Sequence, residues 1–272
     1  MSSGAKQLVQ IAKETVIGTV PSPFARQTLA FTDISLNQSV EKTESASITD
    51  SRLQQSSMIT SVEYSGELSA EAQYGAYDDL MAAAAFNAWA TNVLTFGGTT
   101  RQTFSVLLGY TDIANYHTFS GLHVNTFGID IPESGLIGLT FGFMGTKRTT
   151  AAVAPAGTIT PASSNPRMSN ISVGDVLVDG ASVKGTACIT AFSFNWDNSM
   201  QVQKCLGAGL EVGAILEMSA KGTGSFTMAW SAKAAEFYEK QFTNGNISLS
   251  IPITDTAGNK YVLNIPKVEI SA

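Results

Sequence analysis

Charge is scarce in this sequence. Only 14% of the 272 residues are Asp, Glu, Lys or Arg, against 44% hydrophobic, where about a quarter charged is usual for a soluble domain. The surface is left to Ser, Thr, Asn, Gln and Gly, which protect a lone molecule poorly against association. Such a surface suits a chain covered by partner subunits, because interface cores are depleted of charge. Clustered positive charge is also missing. The net charge is −6 and the densest basic pair is Lys147-Arg148, which excludes a protein that grips nucleic acid through its phosphates, though not one past which nucleic acid slides. No apolar run approaches the roughly 18 residues of a membrane-spanning helix, and Met1 to Gln10 lacks a signal-peptide pattern. The two cysteines, Cys188 and Cys205, have no metal-site spacing and are expected as free thiols in a reducing cytoplasm.

Groups that carry chemistry are equally thin. The only histidines, His117 and His123, would stand roughly 20 Å apart on one face of a strand, too far to share a metal ion. There is no HExxH, CxxC or P-loop, and no Gly-x-Ser-x-Gly elbow. Gly207-Ala208-Gly209 and Gly222-Thr223-Gly224 open no strand-to-helix turn and read as turns or bulges. Asp78-Asp79 marks a helix start, where the dipole favours acids, and Asp255 to Asn259 falls short of a calcium loop. No catalytic, cofactor or metal residue is assigned. Trp89, Trp196 and Trp230 leave open an alternative, a carbohydrate-binding or capsid-decorating β-sandwich; core or interface packing also explains them.

What the sequence has is strand patterning. Val62, Tyr64, Leu68, Ala70 and Ala72 alternate with Glu63, Glu67 and Glu71, the mark of a half-buried strand. A helix is predicted over Tyr77 to Trp89 and a second over Ala232 to Phe242, capped by Ser231. Strands are expected at 103–108, 117–124, 127–131, 136–144, 172–178, 187–196, 210–220, 224–230, 247–254 and 260–270. Residues 4–20 read as a short helix or an extended arm. Residues 37–57 read as a long polar loop or, alternatively, an exposed hairpin with Val40, Lys42 and Glu44 on one face and Glu41 and Thr43 on the other. Residues 149–167 read as a linker.

The order of parts repeats. Leu29-Ala30-Phe31 parallels Thr190-Ala191-Phe192, and Gly66 to Ala70 parallels Gly224 to Met228. The spacing between the two motifs is similar in each half, and each second motif runs into that half's helix and then a hairpin. The expected organisation is an arm (1–24), a first β domain (25–148), a linker (149–167) and a second β domain (168–272). Such a sheet has open edges that must be paired or covered, and rings of such domains can close into one barrel.

Several motifs, in order, carry a resemblance. Lys13-Glu14-Thr15-Val16-Ile17-Gly18-Thr19-Val20-Pro21, Tyr74 to Ala84, Phe119 to Phe127, Leu139 to Gly145, Asn195-Trp196-Asp197-Asn198 and Thr254 to Asn259 before Ile265-Pro266-Lys267-Val268 resemble the major tail tube proteins of siphophages over nearly the whole chain. The resemblance implies a mainly β fold of two similar sandwich or half-barrel domains, each with one flanking helix. Their inner sheets would close into a multi-subunit barrel, in rings of three pseudo-sixfold or six subunits. It implies self-assembly in a virion tail built in the host cytoplasm. The expected partners are tape measure, tail terminator and distal tail proteins, with genomic DNA passing non-specifically and no membrane contact. On this reading Glu41, Glu44, Glu63, Glu67 and Glu71 are candidates for the bore or its rim, and Lys13, Glu14, Ser39, Val40, Ile48 and Leu53 for contacts between rings.

Overall fold

The computed structural model of the chain describes residues 6–47, 53, 55–207, 209–243 and 245–271. In chain order the first half holds β1 (Gln7–Lys13), β2 (Arg26–Leu29), β3 (Asp33–Ile34), β4 (Asn37–Glu44), β5 (Ser57–Glu71), α1 (Asp78–Ala84), β6 (Phe104–Tyr110), β7 (Asn115–Ile131), β8 (Gly138–Gly145), β9 (Lys147–Ala151) and β10 (Ile159–Thr160). The second holds β11 (Leu177–Val178), β12 (Ala181–Ser182), β13 (Ile189–Asp197), β14 (Gln201–Gln203), β15 (Ala214–Leu216), β16 (Lys221–Met228), α2 (Ala232–Lys240), β17 (Asn246–Thr254) and β18 (Lys260–Glu269). β1 to β10 join β13 and β16 in a branched 12-stranded network. β12-β11-β17-β18 make a 4-stranded sheet, and β14-β15 a 2-stranded ribbon. The fold is mainly β.

β7 is the spine. Its first part pairs with β6 and β9 and its second part with β8 and β13. The partners change around Gly121, whose φ is +64° and where a Cβ would lie 2.2 Å from Thr146 Oγ1; only glycine takes that bend without strain. Beyond it, one path runs β4-β5-β8-β7-β13-β16, so strands of both halves share a sheet. β5 shows why the sequence folds this way. Val62, Tyr64, Leu68 and Ala70 are buried while Glu63, Ser65 and Glu67 are exposed. The buried set continues through Leu139, Phe141 and Phe143 of β8, Phe127 of β7 and Phe192 of β13. α1 closes over this face with Leu80, Ala83 and Ala84, small enough for close approach. Each fully buried Leu or Phe here contributes about 1.5–3 kcal/mol. Ser231 caps α2 by accepting a hydrogen bond from Ala234 N at 3.2 Å.

Several expectations need correction. Residues 7–13 of the expected arm are held in the sheet: β1 lies between β2 and β6, with Val9 opposite both Leu29 and Leu108. Burial on both sides removes the alternation that would have marked it as a strand. The 149–167 stretch does not span freely either. β9 pairs with β7 and β10 with β2, and Pro155 O accepts from Arg26 Nη1 at 2.8 Å. α1 stops before Trp89, because the chain turns at Phe86, with φ +53°. Only Ala214–Leu216 of 210–220 is strand, and Leu210, Leu216 and Met218 face outward rather than into a core. Of the two readings of 37–57, the exposed hairpin is the one found: residues 37–44 pair with 57–65, with Val40 opposite Val62.

Candidate functional surfaces

The bare side of the β4-β5-β8-β7-β13-β16 path is the first surface. Register places Ser39 beside Glu63, Glu67 beside Gly142, Glu71 beside Gly138, Gly128 beside Thr140 and Asn195, and Asp130 beside Ser193. The row continues to Ser225, Thr223 and Lys221 of β16. Ser193 and Ser225 are linked through their hydroxyls at 2.8 Å. At the centre the surface dips into a shallow concavity lined by Gly128, Asp130, Thr140, Ser193, Asn195 and Thr223. The side chains are short and polar, and the charges are mostly negative: Glu41, Glu63, Glu67, Glu71, Asp130 and Asp197 against Lys221. Two neighbouring cations are engaged, Lys204 with Glu63 at 3.2 Å and Arg167 with Glu71. Such a wall offers phosphate few partners.

Four of the five acids expected at the bore, Glu41, Glu63, Glu67 and Glu71, share this side. Glu44 does not: three positions beyond Glu41 on β4, it falls on the opposite face, near the far end of the hairpin. Asp130 and Asp197 were missed, because nothing local in the sequence shows that β13 pairs with β7.

The second surface is the pair of open edges. Among the described residues, β4 pairs only with β5 and β16 only with β13. β4 is exposed almost throughout and β16 over most of its length. Exposed apolar side chains gather near these edges, with Val40 42%, Met58 74% and Ile59 49% exposed at one end, and Trp230 76%, Tyr238 49% and Phe242 66% at the other. Trp230 alone of the three tryptophans is so open. Trp89 Nε1 donates to Asp78 O at 3.0 Å, and Trp196 packs edge-on to Phe96 at 5.2 Å.

Of the residues expected between rings, Lys13 and Ser39 are exposed, as are Val40 and Leu53, the latter at 80%. Ile48 lies outside the described residues. Glu14 is corrected. It is buried, and its carboxylate accepts from Gly18 N at 2.8 Å, Thr103 Oγ1 at 2.9 Å, Ser105 Oγ at 2.6 Å and Gly121 N at 2.8 Å. It holds the 14–20 loop, whose Val16 and Ile17 stand 62% and 53% exposed.

Burial perturbs several ionisable groups inside the body, Asp78, His123 and His117 among them. Burial pushes the Asp78 carboxyl above its usual value, partly offset by the hydrogen bond from Tyr261. Burial lowers His123, against the bond between its Nδ1 and Gly121 O at 3.0 Å, and also lowers His117. Among the described residues no group of three or more His, Cys, Asp or Glu gathers as a metal site, and no helix is long and apolar enough to cross a membrane. Cys188 and Cys205 are free and exposed.

Comparison with curated proteins finds no match to the sequence. A family model described as phage tail tube protein matches residues 4–272. With a mainly β fold and, among the described residues, open sheet edges, the chain belongs to the phage tail tube protein family, as a structural protein of the virion tail that self-assembles into a tube.

Proposed function

We propose that the chain forms stacked rings of a non-contractile siphophage tail, and that the bare side of the β4-to-β16 sheet lines the bore through which DNA is delivered. One observation carries this reading. A single sheet spans both halves of the chain, one side apolar and covered, the other polar, acidic and concave, and among the described residues the outer edges of its end strands, β4 and β16, stay open. Unpaired edges are a liability that closure into a barrel removes. An acidic wall without free cation clusters repels phosphate, so DNA passes without capture.

The duplicated order of strand, helix and hairpin supports three chains per ring, each filling two of six similar positions. The far end of the β4–β5 hairpin, with Leu53, and the Val16-Ile17 loop, flanked by Lys13, supply the contacts between rings. Tape measure, terminator and distal tail proteins would meet the tube at its lumen and its two ends. Negative-stain microscopy of the purified chain tests the reading: tubes or stacked rings are expected, and compact monomers at all concentrations contradict it.

A further inference from the structure

The ring reading leaves the aromatic surface of α2 unexplained. Trp230 and Tyr238 stack edge-on at 6.2 Å and Tyr238 and Phe242 at 5.4 Å. All three are largely exposed, so this is an ordered apolar ladder facing water, where aromatic anchors are costly unless covered. α2 itself is held by Phe237, its one buried residue, packed edge-on against Phe226 of β16 at 6.4 Å. Phe226 lies on the apolar side of β16, opposite Phe192. The ladder therefore belongs to the apolar side of the outermost strand at one end of the sheet.

At the other end stands β4. Val40 faces Val62, a core residue, and Lys42, two positions on, faces Ile59. Val40 and Ile59 thus share the apolar side of the hairpin, 42% and 49% exposed. Topology decides whether these two ends can meet. Every pairing along β4-β5-β8-β7-β13-β16 is antiparallel. The path holds an even number of strands, so β4 and β16 run in opposite directions. A copy rotated about an axis along the sheet brings its β4 antiparallel to the first copy's β16, with polar side matched to polar side and apolar to apolar. Charge agrees: Lys221 is the one charged residue of β16, and β4 sets Glu41 and Glu44 against Lys42.

We propose that the Trp230–Tyr238–Phe242 ladder is the seat for the apolar side of the β4–β5 hairpin of a second copy of this chain, clamping the seam where its β4 extends the first copy's β16. This rests on the proposed ring. It assigns the side of the hairpin to the neighbour within a ring, leaving its far end for the next ring.

The test uses the full chain. Trp230→Ser, Tyr238→Ser and Phe242→Ser combined remove the ladder, while the Phe237 anchor stays. With circular dichroism and a cooperative melt like those of wild type, the yield of pelletable tubes is expected to fall about tenfold or more, as for loss of interface anchors. Undiminished tubes from this variant overturn the seat while leaving the ring reading intact; wild type that makes no tubes overturns the ring reading itself. A second variant does not depend on the first one's folding. Val40→Cys with Tyr238→Cys, in a chain with Cys188→Ser and Cys205→Ser, should give intermolecular disulfide ladders on mild oxidation of tubes. Tubes that oxidise without such ladders contradict the seat.

Discussion

Glu14 and Gly121 meet across the body of the molecule, the glutamate's Oε1 accepting a hydrogen bond from the glycine's backbone N–H at 2.8 Å. The same carboxylate also receives Gly18 N and the Thr103 and Ser105 hydroxyls. It ties the entry loop to the point where β7 leaves one set of partners for another. In Glu14→Gln one acceptor becomes an NH2 donor facing donors already in place. Leaving a buried polar pair unmet costs about 1–3 kcal/mol, and urea unfolding of the monomeric protein should show a loss of that size with an unchanged m-value.

Asp78 joins the two halves by accepting from Tyr261, whose hydroxyl also accepts from Gly75 N at 2.9 Å. Its carboxyl titrates above the ordinary 3.8. An acid whose pKa is raised on folding holds its proton more tightly when folded, so its share of stability is fully present below 3.8 and is lost as pH rises through the raised value. Asp78→Asn keeps an acceptor for Tyr261 without the buried charge. Its melting temperature, relative to wild type, should rise between pH 3.8 and neutral and then level off.

His123 gives the opposite slope. Its Nε2 is buried and has no hydrogen-bond partner among the described residues, and burial holds its pKa below 6.5. The unfolded chain takes up the proton first, so stability falls as pH drops below 6.5 toward the depressed value. Thermal melts between pH 7 and 5 should show a smaller loss for His123→Gln than for wild type.

The hairpin end is tested by replacing residues 45–56 with Asn-Gly, which joins Glu44 to Ser57 across their existing pair through a favoured two-residue turn. The variant should fold and form rings, but sedimentation should show few long tubes. Tubes of normal length would remove the hairpin end from the contacts between rings.

Lumen charge is tested by Glu67→Lys, Asp130→Lys and Asp197→Lys together. Tubes of this variant should co-sediment with DNA at low salt and release it as salt rises, because captured phosphates displace counterions. Wild-type tubes should leave DNA in the supernatant.

Strand and burial were legible where one face meets water. In β5 the alternation of Val62, Tyr64, Leu68 and Ala70 with the glutamates named both the strand and its buried side. β1 was not legible, because Leu8, Val9, Ile11 and Ala12 pack on both faces and carry no period. Leu210, Leu216 and Met218 misled in the other direction: they are apolar yet exposed, so their pattern reports on something other than this chain's own core. Half of the acidic face was readable from β5 alone. Asp130 and Asp197 required knowing that β13 lies beside β7, a pairing between distant segments that no local pattern encodes. Glu14 shows the same limit. Its motif was visible, but its burial depends on donors from Ser105 of β6 and Gly121 of β7, about a hundred residues away.

An image of assembled tubes, reconstructed by cryo-electron microscopy to side-chain detail, bears on the whole account. It should show Glu67, Asp130 and Asn195 facing the bore and each β16 hydrogen-bonded to the next chain's β4. A tube whose bore is lined by another surface, or whose β4 and β16 edges remain unpaired between chains, would contradict it.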